Sequence, residues 1–247
     1  MGECHLTVKG AAEVMLEKAG LNSEVERELD RIGYFRAPAS KGHHLARPGG
    51  LVEHSVNVTH WLERLTDAGL VSWWRRESPY LIGMLHDLVK CKCYGLEVAD
   101  DGSEKYCYRR SEWPGHGAAS ALIAASELSI CLTPQEVACI VHHMGAFGLD
   151  ERQLKDYDAA LNVYPREIIA THTADMLAAR VCEAESNHEK RETHETLMEL
   201  EAEMRRLGNK WIAEKSATKT ECMGLIILQL ADRLGMAAKR ERGARRP

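Results

Sequence analysis

Polar side chains interrupt several apolar, helix-like stretches of this 247-residue chain. They are His54 in GGLVEHSVNV, His86 and Asp87 in LIGMLHDLVK, His116 in PGHGAASALIAA, His142 and His143 in ACIVHHMG, and Asp175 in ATHTADMLAA. A buried His or Asp costs free energy unless it has a partner. One such residue is readily explained as a core histidine bonded to a backbone carbonyl. Five predicted helices each carry at least one such polar side chain, which indicates that these side chains meet in a shared site.

If these side chains converge, they supply imidazoles and two carboxylates. Nitrogen and oxygen ligands without thiolates suit Fe, Mn, Co, Ni or Zn. The set is too large for one tetrahedral ion, so we expect Asp87 to bridge two ions. Two ions roughly 3.5–4 Å apart hold the reacting oxygens of an in-line displacement at phosphorus. A metal-bridging hydroxide is then the nucleophile, because metal binding lowers the pKa of water to near neutrality.

The elements that must position these residues are mostly helical by pattern. Apolar periodicity and start signals predict helices over about 11–33, 50–68, 79–90, 115–128, 134–144, 165–182 and 217–238. Ser23 is the expected N-cap of EVERELDRI, and Thr133 before Pro134 is a second helix start. Abundant alanine and leucine with only 6% aromatic residues also favour helices.

One segment departs from the helical pattern. Residues 93–110 carry β-favouring side chains on both sides of Asp100-Asp101-Gly102, which predicts a small β-hairpin. We therefore predict an all-α bundle with one hairpin insertion. Loops over 35–50, 93–113 and 144–158 are expected to select the substrate.

Composition narrows the class of protein. The net charge of −5 gives little support to non-specific duplex binding. Eight cysteines without a CxxC pair indicate free thiols in a reduced, cytoplasmic protein, and the spacing of Cys91, Cys93 and Cys107 is poor for zinc. The polar N-terminus and the absence of an apolar run of about eighteen residues predict neither a signal peptide nor a membrane span.

The ordered pieces resemble the HD-domain superfamily of metal-dependent phosphohydrolases. HDLVK resembles the HDxxK form of its signature, and GGLVEHS resembles the first-histidine motif of HD-domain nucleases. PAS…HHLARPGGLVEHSVNV, GHG…S…I, HMG and H-x-ADM are similar to a group of small bacterial and phage HD hydrolases. The resemblance implies an HD core over 35–182, following N-terminal helices over 1–34. The remaining 183–247 reads as a helical extension with a basic tail, through which the chain could form a homodimer.

The resemblance also implies a ligand set. The first metal would be held by His54, His86, Asp87 and Asp175, and the second by Asp87, His116 and His143, with His142 as the alternative to His143. His143 is favoured because a single histidine stands two residues before the glycine in the related group, as His143 stands before Gly145. Fe or Mn is the favoured metal, with Zn, Ni, Co and Mg as alternatives.

Four further residues are candidates for contact with substrate. Lys90, one predicted turn after His86, resembles the family lysine near the substrate phosphate, where its charge would stabilise the transition state. The alternative is a solvated lysine at a helix C-terminus. His172 would orient Asp175 or reach phosphate. His44 matches a histidine of the related group, and Arg109 could pair with phosphate oxygens.

The sequence thus predicts hydrolysis of a phosphate ester or phosphoanhydride of a nucleotide or short oligonucleotide. One alternative is a 3′→5′ exonuclease on single-stranded nucleic acid, for which the WWRR run at 73–76 could stack bases. Another is a nucleotide-sensing HD module with weak or no catalysis. Absence of turnover with tight nucleotide binding would favour the sensing module.

Overall fold

The computed structural model describes residues 7–41, 45–98, 104–109, 115–146 and 149–183. The described residues up to 64 and from 71 to 183 belong to the first of two compact units in the chain. Every site residue discussed below belongs to the first unit. The predictions for His44, for a helix over 217–238 and for the basic tail concern residues outside the described ranges.

Helices dominate the described residues, together with one two-stranded antiparallel sheet. The helices are α1 (Val8–Lys18), α2 (Ser23–Arg31), α3 (Gly50–Asp67), α4 (Ser78–Leu85), α5 (Lys90–Cys93), α6 (His116–Ser126), α7 (Pro134–His142), α8 (Glu151–Val163) and α9 (Pro165–Leu177), and a π-helical turn, Ala178–Cys182, continues α9. Strand β1 (Tyr94–Val98) pairs with β2 (Glu104–Tyr108). The predicted helical fold with one hairpin is confirmed at this level. No helix in the described part of the chain is long and apolar enough to cross a membrane.

Two predicted helix boundaries were wrong. The N-cap of α2 is Asn22 rather than Ser23, because the Asn22 side chain accepts hydrogen bonds from the backbone N–H groups of Glu24 and Val25. Helix α4 ends at Leu85 instead of running to Lys90. Tighter bonds between residues three apart replace the α-helical pattern there, including Lys90 N–H to the Asp87 carbonyl at 2.9 Å.

Helix α8 lies partly within the predicted 144–158 loop. Asp150 begins it with a capping box, in which Asp150 and Gln153 each bond the other's backbone N–H. Tyr157 is its buried residue, so the helix lacks the broad apolar stripe on which sequence periodicity depends.

Two glycines allow the helices that carry the site to approach closely. A Cβ on Gly83 of α4 would lie 2.2 Å from Thr59 Oγ1 and 2.7 Å from Thr59 Cα on α3. A Cβ on Gly117 of α6 would lie 2.4 Å from the carbonyl oxygens of Ile140 and Val141 on α7. Helix α4 also packs against α1, α6 and α7. The segments that bear the conspicuous histidines are therefore in direct contact.

A buried carboxylate ties the start of α7 to α4. Glu136 accepts hydrogen bonds from Arg75, from Ser78 Oγ at 2.7 Å and from the Thr133 backbone at 2.8 Å. Burial alone would raise the pKa of Glu136, but the bonds from Arg75, Thr133 and Ser78 lower it below its usual value.

We expect Glu136→Gln to lower the free energy of unfolding by about 2 kcal/mol at neutral pH, because bonds to a charged acceptor are weakened. A carboxylate with a lowered folded-state pKa stabilises the protein above its unfolded-state pKa, and the stabilisation is lost as pH falls through the folded-state value. The difference between the variant and the wild type should therefore be smaller at a pH below the ordinary pKa of a glutamate than at neutral pH. Urea unfolding at both pH values measures it. Glu151→Gln, which alters an exposed pair with Lys155, is the control and should change little. An undiminished difference in acid would contradict the prediction.

Candidate metal centre

The conspicuous polar side chains converge on one cluster. Its members are His54, His86, Asp87, His116, His143 and Asp175. His54, His86, Asp87 and His143 are almost fully buried, and Asp175 and His116 are partly exposed. The cluster therefore has a buried interior with an accessible side.

Asp87 lies at the centre, and its two carboxylate oxygens face different histidines. Oδ2 lies 3.5 Å from His54 Nε2 and 3.3 Å from His86 Nε2. Oδ1 lies 2.5 Å from His116 Nε2 and 3.5 Å from His143 Nε2. Each oxygen of the carboxylate thus lies near two imidazoles.

Asp175, on α9, joins the first pair. Its Oδ1 lies 3.1 Å from His54 Nε2 and 4.0 Å from His86 Nε2. Two groups of ligand atoms close enough to hold a metal ion occur among the described residues: His54 with His86 and Asp175, and His86 with Asp87 and His143. Both contain only nitrogen and oxygen donors, so the described residues give no support to a zinc site at Cys91, Cys93 and Cys107.

Backbone carbonyls orient two of the imidazoles. His86 Nδ1 donates to the Gly83 carbonyl at 2.9 Å, and His143 Nδ1 donates to the Ile140 carbonyl at 2.7 Å. This tautomer leaves Nε2 of each ring with a lone pair that points into the cluster. His143 Nε2 is buried and has no hydrogen-bond partner among the described residues. An orphaned acceptor is costly, and a metal ion would satisfy it.

The charges of the cluster also fit a cation. Although burial opposes it, Lys90, His86 and His116 hold the pKa of Asp87 well below its usual range. His54 likewise lowers the pKa of Asp175. Burial would lower the pKa of His54, yet its bonds to Asp175 and Glu183 raise it to about 9. The buried carboxylates are therefore ionised and gather positive charge around them.

Lys90 contacts the cluster through Asp87 rather than through His86. Its Nζ lies 2.5 Å from Asp87 Oδ2, and only 12% of its side chain is exposed. The chain leaves the α-helical path after Leu85, so the spacing from His86 to Lys90 is not a regular α-helical turn. Lys90 is not a solvated lysine at a helix end: it lies beside the central carboxylate.

His142 lies away from the cluster. Its ring packs against Tyr157 of α8, with centroids 5.4 Å apart. The neighbouring His143 ring lies 4.9 Å from His86 and 5.5 Å from His116. Of the two adjacent histidines, the structure places His143 in the cluster.

Two further candidates for contact with substrate, besides Lys90, lie within the described residues. His172 Nδ1 donates to the His143 carbonyl at 2.7 Å, so His172 borders the cluster through the backbone of a member. The Arg109 guanidinium group lies against Gly95 of the hairpin, where a Cβ would be 2.4 Å from Arg109 Cζ. No contact between Arg109 and the cluster is seen among the described residues.

Sequence reasoning missed Glu183 and Asn57. Both Glu183 carboxylate oxygens lie 3.0 Å from His54 Nδ1, and Asn57 Nδ2 donates to one of them at 2.9 Å. Asn57 follows His54 by three residues, so helical spacing could have identified it as a neighbour. Glu183 carried no such signal, because it begins a segment dense in charged residues.

Comparisons of the chain with known protein families, curated proteins and solved structures gave no match. The chemistry of the cluster must therefore be inferred from its own residues and their geometry.

Proposed function

We propose that this protein is a metal-dependent phosphohydrolase of the HD type, which hydrolyses a phosphate ester or phosphoanhydride of a nucleotide or short oligonucleotide. The position of Asp87 carries the proposal, because its two oxygens face separate pairs of histidines. A carboxylate with this placement is suited to bridge two metal ions. Binuclear sites of that kind are characteristic of phosphoryl-transfer enzymes.

The proposed ligands divide around Asp87. His54, His86, Asp87 and Asp175 would hold the first ion, and Asp87, His116 and His143 the second. Imidazole and carboxylate donors suit Fe or Mn, and Zn, Co and Ni accept the same set more readily than Mg does. When bound, the ions supply Lewis-acid activation of water and of the phosphoryl oxygens.

Lys90 and His172 complete the proposed site. Lys90 supplies positive charge, and His172 supplies a hydrogen-bonding group. Lys90 holds a buried ammonium group beside Asp87, where it can also attract a substrate phosphate and stabilise negative charge that develops on it. His172 donates to the His143 carbonyl, which leaves its Nε2 to accept a hydrogen bond. Met84 and Leu85, which directly precede His86 in the chain, are fully buried.

Metal content of single-ligand variants tests the binuclear site. We expect about two ions per wild-type chain after aerobic and anaerobic purification. His116→Ala should keep the first ion and lose most of the second, because it removes a ligand from one side of Asp87. His142→Ala is the matched control, since that ring packs on Tyr157, and it should keep both ions. Elemental analysis gives the counts. Equal metal content in wild type and His116→Ala would contradict the assignment.

A substrate panel tests the reaction. Nucleotides, dinucleotides, cyclic dinucleotides and short single strands should be supplied to the metal-loaded protein, with product release measured as phosphate or nucleotide. Turnover of a small phosphate ester, lost on chelation, supports the proposal. Processive cleavage of single strands with salt-sensitive binding would instead indicate the exonuclease. Tight nucleotide binding without turnover would indicate the sensing module.

A further inference from the structure

Glu183 is a buried carboxylate for which the proposed metal ligands leave no role. Its side chain is only 1% exposed, and both its oxygens lie 3.0 Å from His54 Nδ1. Asn57 Nδ2 donates to Glu183 Oε1 at 2.9 Å. Burial of a carboxylate is costly unless hydrogen bonds compensate for it, and here donors from two positions of α3 do so. Hydrogen bonds therefore compensate for the burial of Glu183 at this position.

Glu183 and Asp175 hold opposite edges of the same imidazole. Asp175 Oδ1 lies 3.1 Å from His54 Nε2, on the edge that faces the cluster. Glu183 lies at Nδ1, on the edge that faces away. Both carboxylates come from one continuous helical segment, α9 and the π-helical turn that follows it. The ring of His54 is thus held between two groups of a single element.

The π-helical turn supplies the register that this arrangement needs. In an uninterrupted α-helix, residues eight apart are rotated by about 80° from one another. The turn over Ala178–Cys182 closes with a bond from the Glu183 N–H to the Ala178 carbonyl at 3.1 Å, five residues back. A π-turn accommodates one additional residue, which brings Glu183 back toward the side of Asp175.

We propose that Glu183 is a positioning residue that fixes the orientation and the tautomer of His54 for metal binding. When Nδ1 donates its N–H to Glu183, Nε2 is the nitrogen that can release its proton and offer its lone pair to a metal ion. Carboxylates that accept from the outer nitrogen of a ligating histidine raise the basicity of the ligand, and their loss typically weakens metal binding 10–100-fold, as an order of magnitude. This inference rests on the proposed function only in taking His54 as a metal ligand.

The chain offers a matched control at Glu53. That carboxylate directly precedes His54 on α3, but it pairs with Arg47, and no contact with the His54 ring is seen among the described residues. Glu183 variants therefore remove a carboxylate that contacts the His54 imidazole. Glu53→Gln removes a carboxylate that is next to His54 in the chain but for which no such contact is seen. A general effect of charge near His54 would appear in both, and a positioning effect only at Glu183.

Titration of chelator-treated full-length protein with Mn²⁺ and Co²⁺ tests the proposal, with affinity measured by calorimetry and Co²⁺ geometry by visible absorption. We expect affinity at the first ion to fall about 100-fold in Glu183→Ala and about 10-fold in Glu183→Gln, which keeps an acceptor oxygen. The Co²⁺ spectrum should change in Glu183→Ala, whereas Glu53→Gln should match wild type in both measurements.

Thermal unfolding of the metal-free variants separates positioning from folding. If Glu183→Ala does not fold, the near-isosteric Glu183→Gln still tests the proposal through its affinity and spectrum. Wild-type affinity in folded Glu183→Gln and Glu183→Ala would overturn the role of Glu183 while leaving the metal site intact. A wild-type protein that binds neither ion would overturn the proposed function itself, so the two failures are distinguishable.

Discussion

Asp87→Asn should remove both metal ions and lower phosphate-ester turnover by at least about 1,000-fold. Asparagine keeps the shape of the side chain but loses the charge that lies between the two pairs of imidazoles. Each proposed ion would lose the anionic ligand that it shares with the other, so we expect neither to be retained. Elemental analysis and turnover on the best substrate of the panel measure the two losses.

Loss of the Asp87 charge also leaves Lys90 buried without the carboxylate that lies 2.5 Å from it. The resulting loss of stability can be distinguished from the loss of metal. Breaking a buried ion pair on one side typically costs about 3–5 kcal/mol. We expect Asp87→Asn to be destabilised on that scale and Asp87→Asn/Lys90→Met to recover much of the stability without recovering metal. Asp156→Asn, an exposed carboxylate on α8, is the control for both measurements and should resemble wild type. A stable double variant that binds two ions would contradict the bridging role.

Gly83→Ala should disrupt the site although Gly83 is not one of the proposed metal ligands. The added Cβ would fall 2.7 Å from the Cα of Thr59, a backbone atom that cannot move aside alone. Helices α3 and α4 must then separate, and they carry His54 and lead into His86. Overpacking of this kind costs about 1–3 kcal/mol, and the ligand atoms move out of register. We expect a lower Tm and at least about tenfold weaker metal binding.

Gly33→Ala distinguishes lost stability from lost geometry. Gly33 has φ +92°, so alanine there is strained by about 1 kcal/mol or more, but its Cβ would meet nothing within 4 Å. The two alanine variants should therefore both unfold more easily, while only Gly83→Ala loses metal affinity. Calorimetric Mn²⁺ titration at a temperature where both are folded makes the comparison. Equal metal affinity in the two variants would show that the close approach of α3 and α4 is dispensable.

The sequence by itself predicted the helical fold and most of the residues that the structure brings together. The buried face of a helix recurs at every turn, so apolar side chains recur with helical spacing. The main helices were recognisable from that pattern. The Asp-Asp-Gly sequence predicted the hairpin for a local reason as well. His54, His86, Asp87, His116 and Asp175 stood out because a polar side chain in an apolar helix is costly unless it is used. Whether they bind metal is a question for the experiments above.

Only the tertiary structure shows which face of a helix points into the cluster and where the side chains near a helix end lie. His142 and His143 differ by about 100° of helical rotation, and only their packing shows that His142 meets Tyr157 while His143 faces the cluster. Lys90 lies beside Asp87 in a stretch that is no longer α-helical after Leu85. Glu183 reaches His54 through a π-helical turn, more than a hundred residues away along the chain. Such contacts arise from packing between distant segments, which leaves no periodic trace in the sequence around any one of them.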